Sequence, residues 1–381
     1  MTYTEALAYI DALKPGGMKP GLARMERGLS LLGRPQDKLR VIHIAGTNGK
    51  GSTARMIQAM ATANGLKTGL FNSPAVTGVR DTIQIDANPI SEAAFAALTG
   101  ELAALAPAMG EAGELSEFEL LTTMAITWFA REKTDLCVIE CGLGGRGDAT
   151  DVFDHPVAAV LTPVSLDHTA VLGHSVEEIA RAKCGILRPG CGVVCSPGQP
   201  EEALGVLLEE AAGMGLTVHV PGAAAAPIRE CTPGRLVFEW EGAPVSLSLT
   251  GAFQRDNALT ALGVMRLLET KGFPFDRAKA VEALEGIRMP CRQEVLRRHP
   301  LRMLDGAHNP HGIRALTETL LTVPEEERVP LTLLWGMLRD KDVRACVSLL
   351  APLAARAVCC APDNPRAMPG EALATLFREA G

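Results

Sequence analysis

The chain has 381 residues, too many for one ordinary hydrophobic core, so two domains are expected. Hydrophobic residues make up 47% and charged ones 21%, which excludes a disordered chain. A net charge of −7, no run of Lys or Arg, and only 4% aromatic residues exclude a nucleic-acid partner held by phosphate tracking or base stacking.

The N-terminal stretch MTYTEALAYIDALKPGG lacks the cationic start and unbroken apolar core of a signal peptide. No apolar run is long enough to span a bilayer, so no membrane partner is expected and the cytoplasm is the expected compartment. The ten cysteines should then be reduced thiols. They form no paired CxxC array, and Cys137, Cys141, Cys359 and Cys360 fall in apolar runs, so small buried hydrophobes are expected rather than a zinc site.

The first strong pattern is Val41 to Ser52, VIHIAGTNGKGS. An apolar strand breaks into a loop with Gly46, Gly49 and Gly51 around Lys50, and Ala54, Met56, Ile57, Met60 and Ala61 then recur at helical spacing. Strand, glycine turn and helix put backbone N–H groups against a phosphate chain, with Lys50 as a point charge and Ser52 or Thr53 offered to a magnesium ion. The spacing departs from the usual P-loop, with two residues between Gly46 and Gly49 and with Gly51 between lysine and hydroxyl. A plain glycine turn is the rival reading; agreement of all four parts favours a nucleoside triphosphate site.

Further along, strands are expected at residues 67–71, 136–139, 157–161 and 192–195, with helices at 91–106, 117–131 and 177–183. Continuous apolar strands alternating with helices imply a parallel sheet covered on both faces. Near Pro221 the pattern changes: residues 236–240 and 245–249 read as an antiparallel hairpin turning at Glu241-Gly242. A helix at 255–271 follows. A second α/β unit then has strands at 301–304, 331–334 and 357–360, with helices at 312–321 and 343–353.

In open parallel sheets, ligands gather at the carboxyl ends of strands. Those ends carry the phosphate loop, Ser73, Glu140 within IECGLGGRGDATD, and Asp167-His168. Magnesium prefers oxygen, so Ser73 and Glu140 are candidate ligands, and metal chemistry alone favours Asp167 as the next. Lys183, following Glu177-Glu178, reads by itself more readily as an ordinary solvated lysine than as a site residue. In the second unit, Asp305-Gly306-Ala307-His308-Asn309-Pro310 follows a strand. Either it faces a ligand, or Asp305 and Asn309 merely cap the next helix. One strand-end site per domain suggests a cleft between the domains.

Taken together, GTNGKGS (46–52), SP (73–74), SEFE (116–119), ECGLGGRGDAT (140–150), LDHTAVLGH (166–174), AKCGILRPG (182–190), QRDNA (254–258), DGAHNP (305–310), GMLRDKD (336–342) and NPRAMP (364–369) resemble the folylpolyglutamate synthase/dihydrofolate synthase family, a branch of the Mur ligase superfamily. They occur in the family's order across nearly the whole chain.

The resemblance implies an α/β protein: a P-loop parallel-sheet ATPase domain at residues 1–291, then a smaller Rossmann-like α/β domain at 292–381, shortened at its C-terminus. It implies a monomeric ATP-dependent ligase that adds L-glutamate to the γ-carboxylate of a folate through an acyl phosphate. Thr47, Asn48, Gly49, Lys50, Gly51 and Ser52 would cradle ATP, with Asn257, Arg292 and Asp305 also contacting the nucleotide. Ser73 and Glu140 would hold one magnesium ion. His168 would hold a second, which overrides the preference for Asp167. Lys183 would be N-carboxylated, an anion in place of a cation beside metal and phosphate. His308 would position or deprotonate the glutamate amine.

Addition of the first glutamate to dihydropteroate is the close alternative, and one enzyme can do both. Residues Lys19 to Arg24 and Ser116 to Glu119 would read the pterin side, with Glu117 favouring polyglutamylation. An ATPase or nucleotide switch without ligation is a more distant reading, and a peptidoglycan-type Mur ligase is disfavoured because cell-wall ligase motifs do not stand out.

Three departures from the family pattern stand out. Asp81-Thr82-Ile83 replaces Glu-Arg-Ile, which puts the ordering of the loop after Ser73-Pro74 in question. Gly147 and Asp151 replace leucine and asparagine. The chain stops at Gly381, before the family's final strand, as a fragment or a reduced domain would.

Overall fold

The computed structural model describes residues 1–14, 21–323 and 329–381. Lys19 and Pro20, from the stretch expected beside the pterin, lie outside the described residues. The chain forms two compact units, one from residues 1–223 and 256–284, the other from 224–255 and 285–381.

In the first unit an eight-stranded sheet is built from β1 (Val41–Ala45), β2 (Thr68–Phe71), β3 (Ile83–Ile85), β4 (Asn88–Pro89), β5 (Leu136–Glu140), β6 (Ala158–Leu161), β7 (Gly192–Cys195) and β8 (Val218–His219). Their spatial order is β4-β3-β2-β5-β1-β6-β7-β8. The strands from β2 to β8 in that order pair in parallel, while β3 and β4 add an antiparallel edge. Every residue of β1, β2, β5 and β6 is buried, which is why these strands read as unbroken apolar runs.

From β1 the chain runs outward to β2 on one side, and from β6 outward to β7 and β8 on the other. The carboxyl ends around β1 are therefore the reversal point where such sheets bind ligands. Register fixes what meets there: Ile44 pairs with Glu140, and Ala45 with Leu161. One apolar core gathers Phe71, Phe95, Met124 and Phe129. Another gathers Ala159, Ile179, Val193 and Leu207.

In the second unit, β9 (Ile228–Thr232), β10 (Arg235–Trp240) and β11 (Ala243–Leu247) form an antiparallel sheet. The expected hairpin is thus three-stranded. Arg229, Glu230 and Thr232 masked β9, because its residues are only partly buried or exposed and carry no apolar alternation. The Glu241-Gly242 turn is present, with φ of 48° and 77°, the left-handed pair that suits a two-residue hairpin loop.

The unit continues with β12 (Glu294–Arg297) antiparallel to β13 (Arg302–Leu304), and β14 (Leu331–Trp335) parallel to β15 (Ala354–Cys359). Helices Pro310–Leu321, Val343–Leu350 and Gly370–Ala380 supply Ile313, Cys346, Val347, Leu373 and Phe377 to its core. Trp335 meets Phe377 edge-on at 5.2 Å between ring centres.

All ten cysteines are free thiols. Six are buried as expected, but Cys360 is exposed because it lies just past the end of β15. Among the described residues, no helix is long and apolar enough to cross a membrane.

Candidate active site

Gly49, at φ +84°, turns the chain from the loop after β1 into the helix Lys50–Ala63, whose N-terminus has no side-chain cap. Its first N–H groups are left for a ligand, at the end where the helix dipole favours anions. A Cβ at Gly49 would run into Asn257 Oδ1, so the loop passes against this buried asparagine. A Cβ at Gly46 would overlap the Thr162 side chain at the end of β6. The N–H groups of Thr47 and Asn48 donate to Pro163 O, at 2.9 and 3.2 Å, and Asn48 Nδ2 donates to Ser165 Oγ. Loop shape is thus set by the neighbouring strand end.

Lys50 Nζ donates to Gly46 O at 3.1 Å and Thr47 O at 3.3 Å, and lies 4.0 Å from Glu140 Oε1. Glu140 ends β5 and is 3% exposed. The Ser73 N–H donates to Glu140 Oε2 at 3.4 Å, and a Cβ on Gly51 would stand 3.2 Å from the same oxygen. Serine, carboxylate and helix N-terminus therefore converge. Thr53 Oγ1 and Asn72 Oδ1, nearby in sequence, are buried without a protein hydrogen-bond partner.

Among the described residues no three His, Cys, Asp or Glu cluster as a metal site. A hydroxyl and one carboxylate beside a phosphate loop nevertheless fit magnesium, which commonly binds through one or two carboxylates plus phosphates and water.

Lys183 is buried at the end of the helix Val176–Lys183, and its Nζ donates to Gly46 O at 2.8 Å. Burial, and then the charge of Lys50, pull its pKa down to about 7. The solvated-lysine reading does not hold. His168 sits at φ +51° with its side chain 45% exposed, whereas the Asp167 side chain is 10% exposed and acts electrostatically on Lys183. Asp167, an oxygen donor, is therefore the more inward of the two, and the imidazole of His168 the more outward.

In the second unit, Asn309 caps the helix Pro310–Leu321 through Gly312 N–H. Asp305 does not cap it, accepting instead from Ala307 N–H at 2.9 Å. Burial pushes Asp305 up to about 6, against the lowering pull of Ala307 N–H and the Arg292 guanidinium. His308 is exposed, with Nδ1 2.9 Å from Gly306 O.

A cavity of about 930 Å³ in the first unit is lined by Ser73, Phe118, Leu143, Arg146 and Asp148, among others. It falls in the size range of small-molecule sites. Ser116 and Glu119 form a capping box at its wall, and Glu119 takes a forked ion pair from Arg24. S-x-x-E before an apolar run is the sequence signal that could have found this box, which appears above only as the motif SEFE. For the partner Arg24, 95 residues away, there is no such local signal.

The sequence departures have structural answers. Asp81 accepts from Thr77 N–H and Thr82 Oγ1 donates to Val79 O, so the loop after Ser73-Pro74 is tied without the family's arginine. Gly147 and Asp151 are partners: the Gly147 N–H donates to Asp151 Oδ2 at 2.9 Å, and Asp151 also pairs with Arg188. Gly147 has φ +74°, a conformation that disfavours leucine.

A parallel sheet with an uncapped glycine loop beside a carboxylate defines a nucleotide-binding enzyme of the phosphate-loop class. The Mur ligase middle domain model matches residues 44–265, and that of the Mur ligase glutamate ligase domain matches 288–381. A dihydrofolate synthase/folylpolyglutamate synthase of Bacillus subtilis is 32% identical, covering 96% of this chain and 86% of that protein. A folylpolyglutamate synthase of Mycobacterium tuberculosis, solved with ADP and AMPPCP, superposes with a TM-score of 0.87 at 33% identity, over 99% of this chain and 87% of that one. A complex of such a synthase with AMPPCP and folate gives 0.83 at 31%, over 93% and 88%.

The chain belongs to the folylpolyglutamate synthase/dihydrofolate synthase family of the Mur ligase superfamily. It is an ATP-dependent, amide-forming ligase.

Proposed function

We propose that the enzyme adds L-glutamate to the γ-carboxylate of tetrahydrofolate or its polyglutamates. One observation carries the reading: Ser73 lines the 930 Å³ cavity and also contacts Glu140 beside the phosphate loop. A carboxylate substrate in the cavity can therefore present its reacting end to bound ATP. The related complex with AMPPCP and folate supports the same pairing of ligands.

A carboxylate is a poor electrophile, so it is activated first. The folate carboxylate attacks the γ-phosphoryl group in line, giving an acyl phosphate and ADP. Backbone N–H groups of residues 49–52 and the Lys50 ammonium neutralise the transferring charge. The glutamate amine then attacks the acyl carbon and phosphate leaves, with His308 positioning the amine or taking its proton. Asn257, Arg292 and Asp305 hold the nucleotide. Ser73 and Glu140 would hold one magnesium ion and His168 a second, the metal supplying charge neutralisation to the phosphates. Residues 1–291 act as the ATP-binding domain and 292–381 as the ligase domain, a division supported by the two family matches. A monomer in the cytoplasm completes the reading.

Transfer of the first glutamate to dihydropteroate is a second reading, favoured by the Bacillus subtilis relative, whose name carries both activities. Purified protein with ATP, magnesium and glutamate, offered tetrahydrofolate or dihydropteroate, separates the two by product mass. ADP release independent of both would sink ligation altogether.

Glu140→Gln keeps the side chain's shape but removes its charge. It should raise the magnesium needed for half-maximal rate by about tenfold and lower the maximal rate, with His168→Ala showing a milder version. A magnesium titration unchanged in Glu140→Gln would return Glu140 to a structural role.

A further inference from the structure

His43 is buried in β1, among Val41, Ile42, Ile44 and Ala45. Burial, and then the charge of Arg188, pull its pKa down to about 3, so the ring is neutral and carries a single N–H. Phe153 meets the ring edge-on at 5.9 Å between centres. Nε2 lies 2.8 Å from Thr150 Oγ1 and 3.1 Å from Cys141 Sγ.

The contacts run on into the loop after Glu140. Thr150 has one hydroxyl proton and two candidate acceptors, Asp148 Oδ1 and the Cys141 sulfur at 3.4 Å. The carboxylate is much the stronger acceptor, so the hydroxyl donates to Asp148 and its own oxygen is left to accept from His43. Asp148 also accepts from the Thr150 N–H at 2.9 Å and, through Oδ2, from the Leu143 N–H at 2.8 Å. His43, Thr150 and Asp148 are all buried, so breaking one link leaves a polar group unpaired.

Leu143, Arg146, Gly147 and Asp148 of this loop line the cavity. The loop also rests on the helix that ends at Lys183. Arg146 N–H donates to Ala182 O at 2.9 Å, and a Cβ on Gly145 would stand 2.6 Å from Lys183 O.

We propose that His43 is a positioning residue for ligation: as its Nε2–H tautomer it ties the cavity loop, through Thr150 and Asp148, to the strand that leads into the phosphate loop. The role rests on the folate reading of the cavity. The tether holds the wall that receives the folate at a fixed reach from the triphosphate, and attack in line is sensitive to that spacing. His43 itself takes no part in the bond making.

Nitrogen-15 NMR of the wild-type enzyme should find the His43 proton on Nε2. A proton on Nδ1 would overturn the relay, and this reading needs no variant to fold. Thr150→Val keeps the side chain's shape and removes the hydroxyl. It should raise KM for tetrahydrofolate about tenfold and lower kcat, while equilibrium binding of AMPPCP stays within about twofold of wild type. Thr150→Ser, which retains the hydroxyl, should recover most of the loss. A purely structural role would lower the melting temperature without separating the two ligands. AMPPCP binding weakened as much as tetrahydrofolate, or unchanged kinetics, in a folded Thr150→Val enzyme would therefore overturn the role of His43 and leave the folate reading intact. A wild type that ligates neither tetrahydrofolate nor dihydropteroate would overturn the folate reading itself, and the proposal with it.

Discussion

Lys50→Ala should abolish ligation while leaving the protein folded. The substitution is mild for the fold, since Lys50 opens a helix in which alanine is well accommodated and its Nζ contacts are two loop carbonyls. For the reaction it is severe. The ammonium stands over the uncapped helix N-terminus, 4.0 Å from Glu140, where the triphosphate's charge must be met. Losing one positioned charge that acts on the transferring phosphoryl group should lower the rate by about a thousandfold or more. ADP release measured with both cosubstrates, beside a thermal melt, checks this. Near-wild-type ADP formation by a folded variant would remove the phosphate loop from its assigned role.

Much of the site was legible because its parts lie on short stretches of chain. Strand, glycine turn, lysine and helix are contiguous, so the phosphate loop could be read from residues 41–63 alone. Glu140 was placed by the rule that strand ends carry ligands, and the register of Ile44 with Glu140 brings it beside the loop. What sequence concealed is pairing across long separations. Arg24 with Glu119, Asn257 under Gly49, and Lys183 on Gly46 O join residues 95, 208 and 137 positions apart. Local periodicity carries no trace of such contacts.

Burial was the second blind spot. Lys183 ends a short amphipathic helix after Glu177-Glu178, and that local context reads as a solvated face. Only the packed structure shows the amine desolvated. The same holds for β9, whose polar residues gave no strand pattern until β10 paired with it.

Lys183→Ala should be nearly inactive, because this side chain is expected to act as a carbamate. Carbon dioxide adds only to a neutral amine. An ordinary lysine is almost wholly protonated at neutral pH, whereas burial and Lys50 bring Lys183 to about 7, so a large share is free to react. The remaining N–H of the carbamate can keep the 2.8 Å bond to Gly46 O, and the new anion would face Lys50. Repulsion between two ammonium groups would thereby become attraction.

The unmodified amine also leaves a signature in stability. Between about 7 and 10.5, the ordinary value for a lysine, the folded amine is neutral and the unfolded one protonated. The unfolded state then binds more protons, so stability rises with pH across that window, and Lys183→Met should flatten the rise. Carbon-13 NMR with labelled bicarbonate reports the carbamate directly, and short-chain carboxylates should restore part of the rate to Lys183→Ala. A wild type with no carbamate resonance, joined to an active Lys183→Ala enzyme, would leave Lys183 as a strut under the phosphate loop.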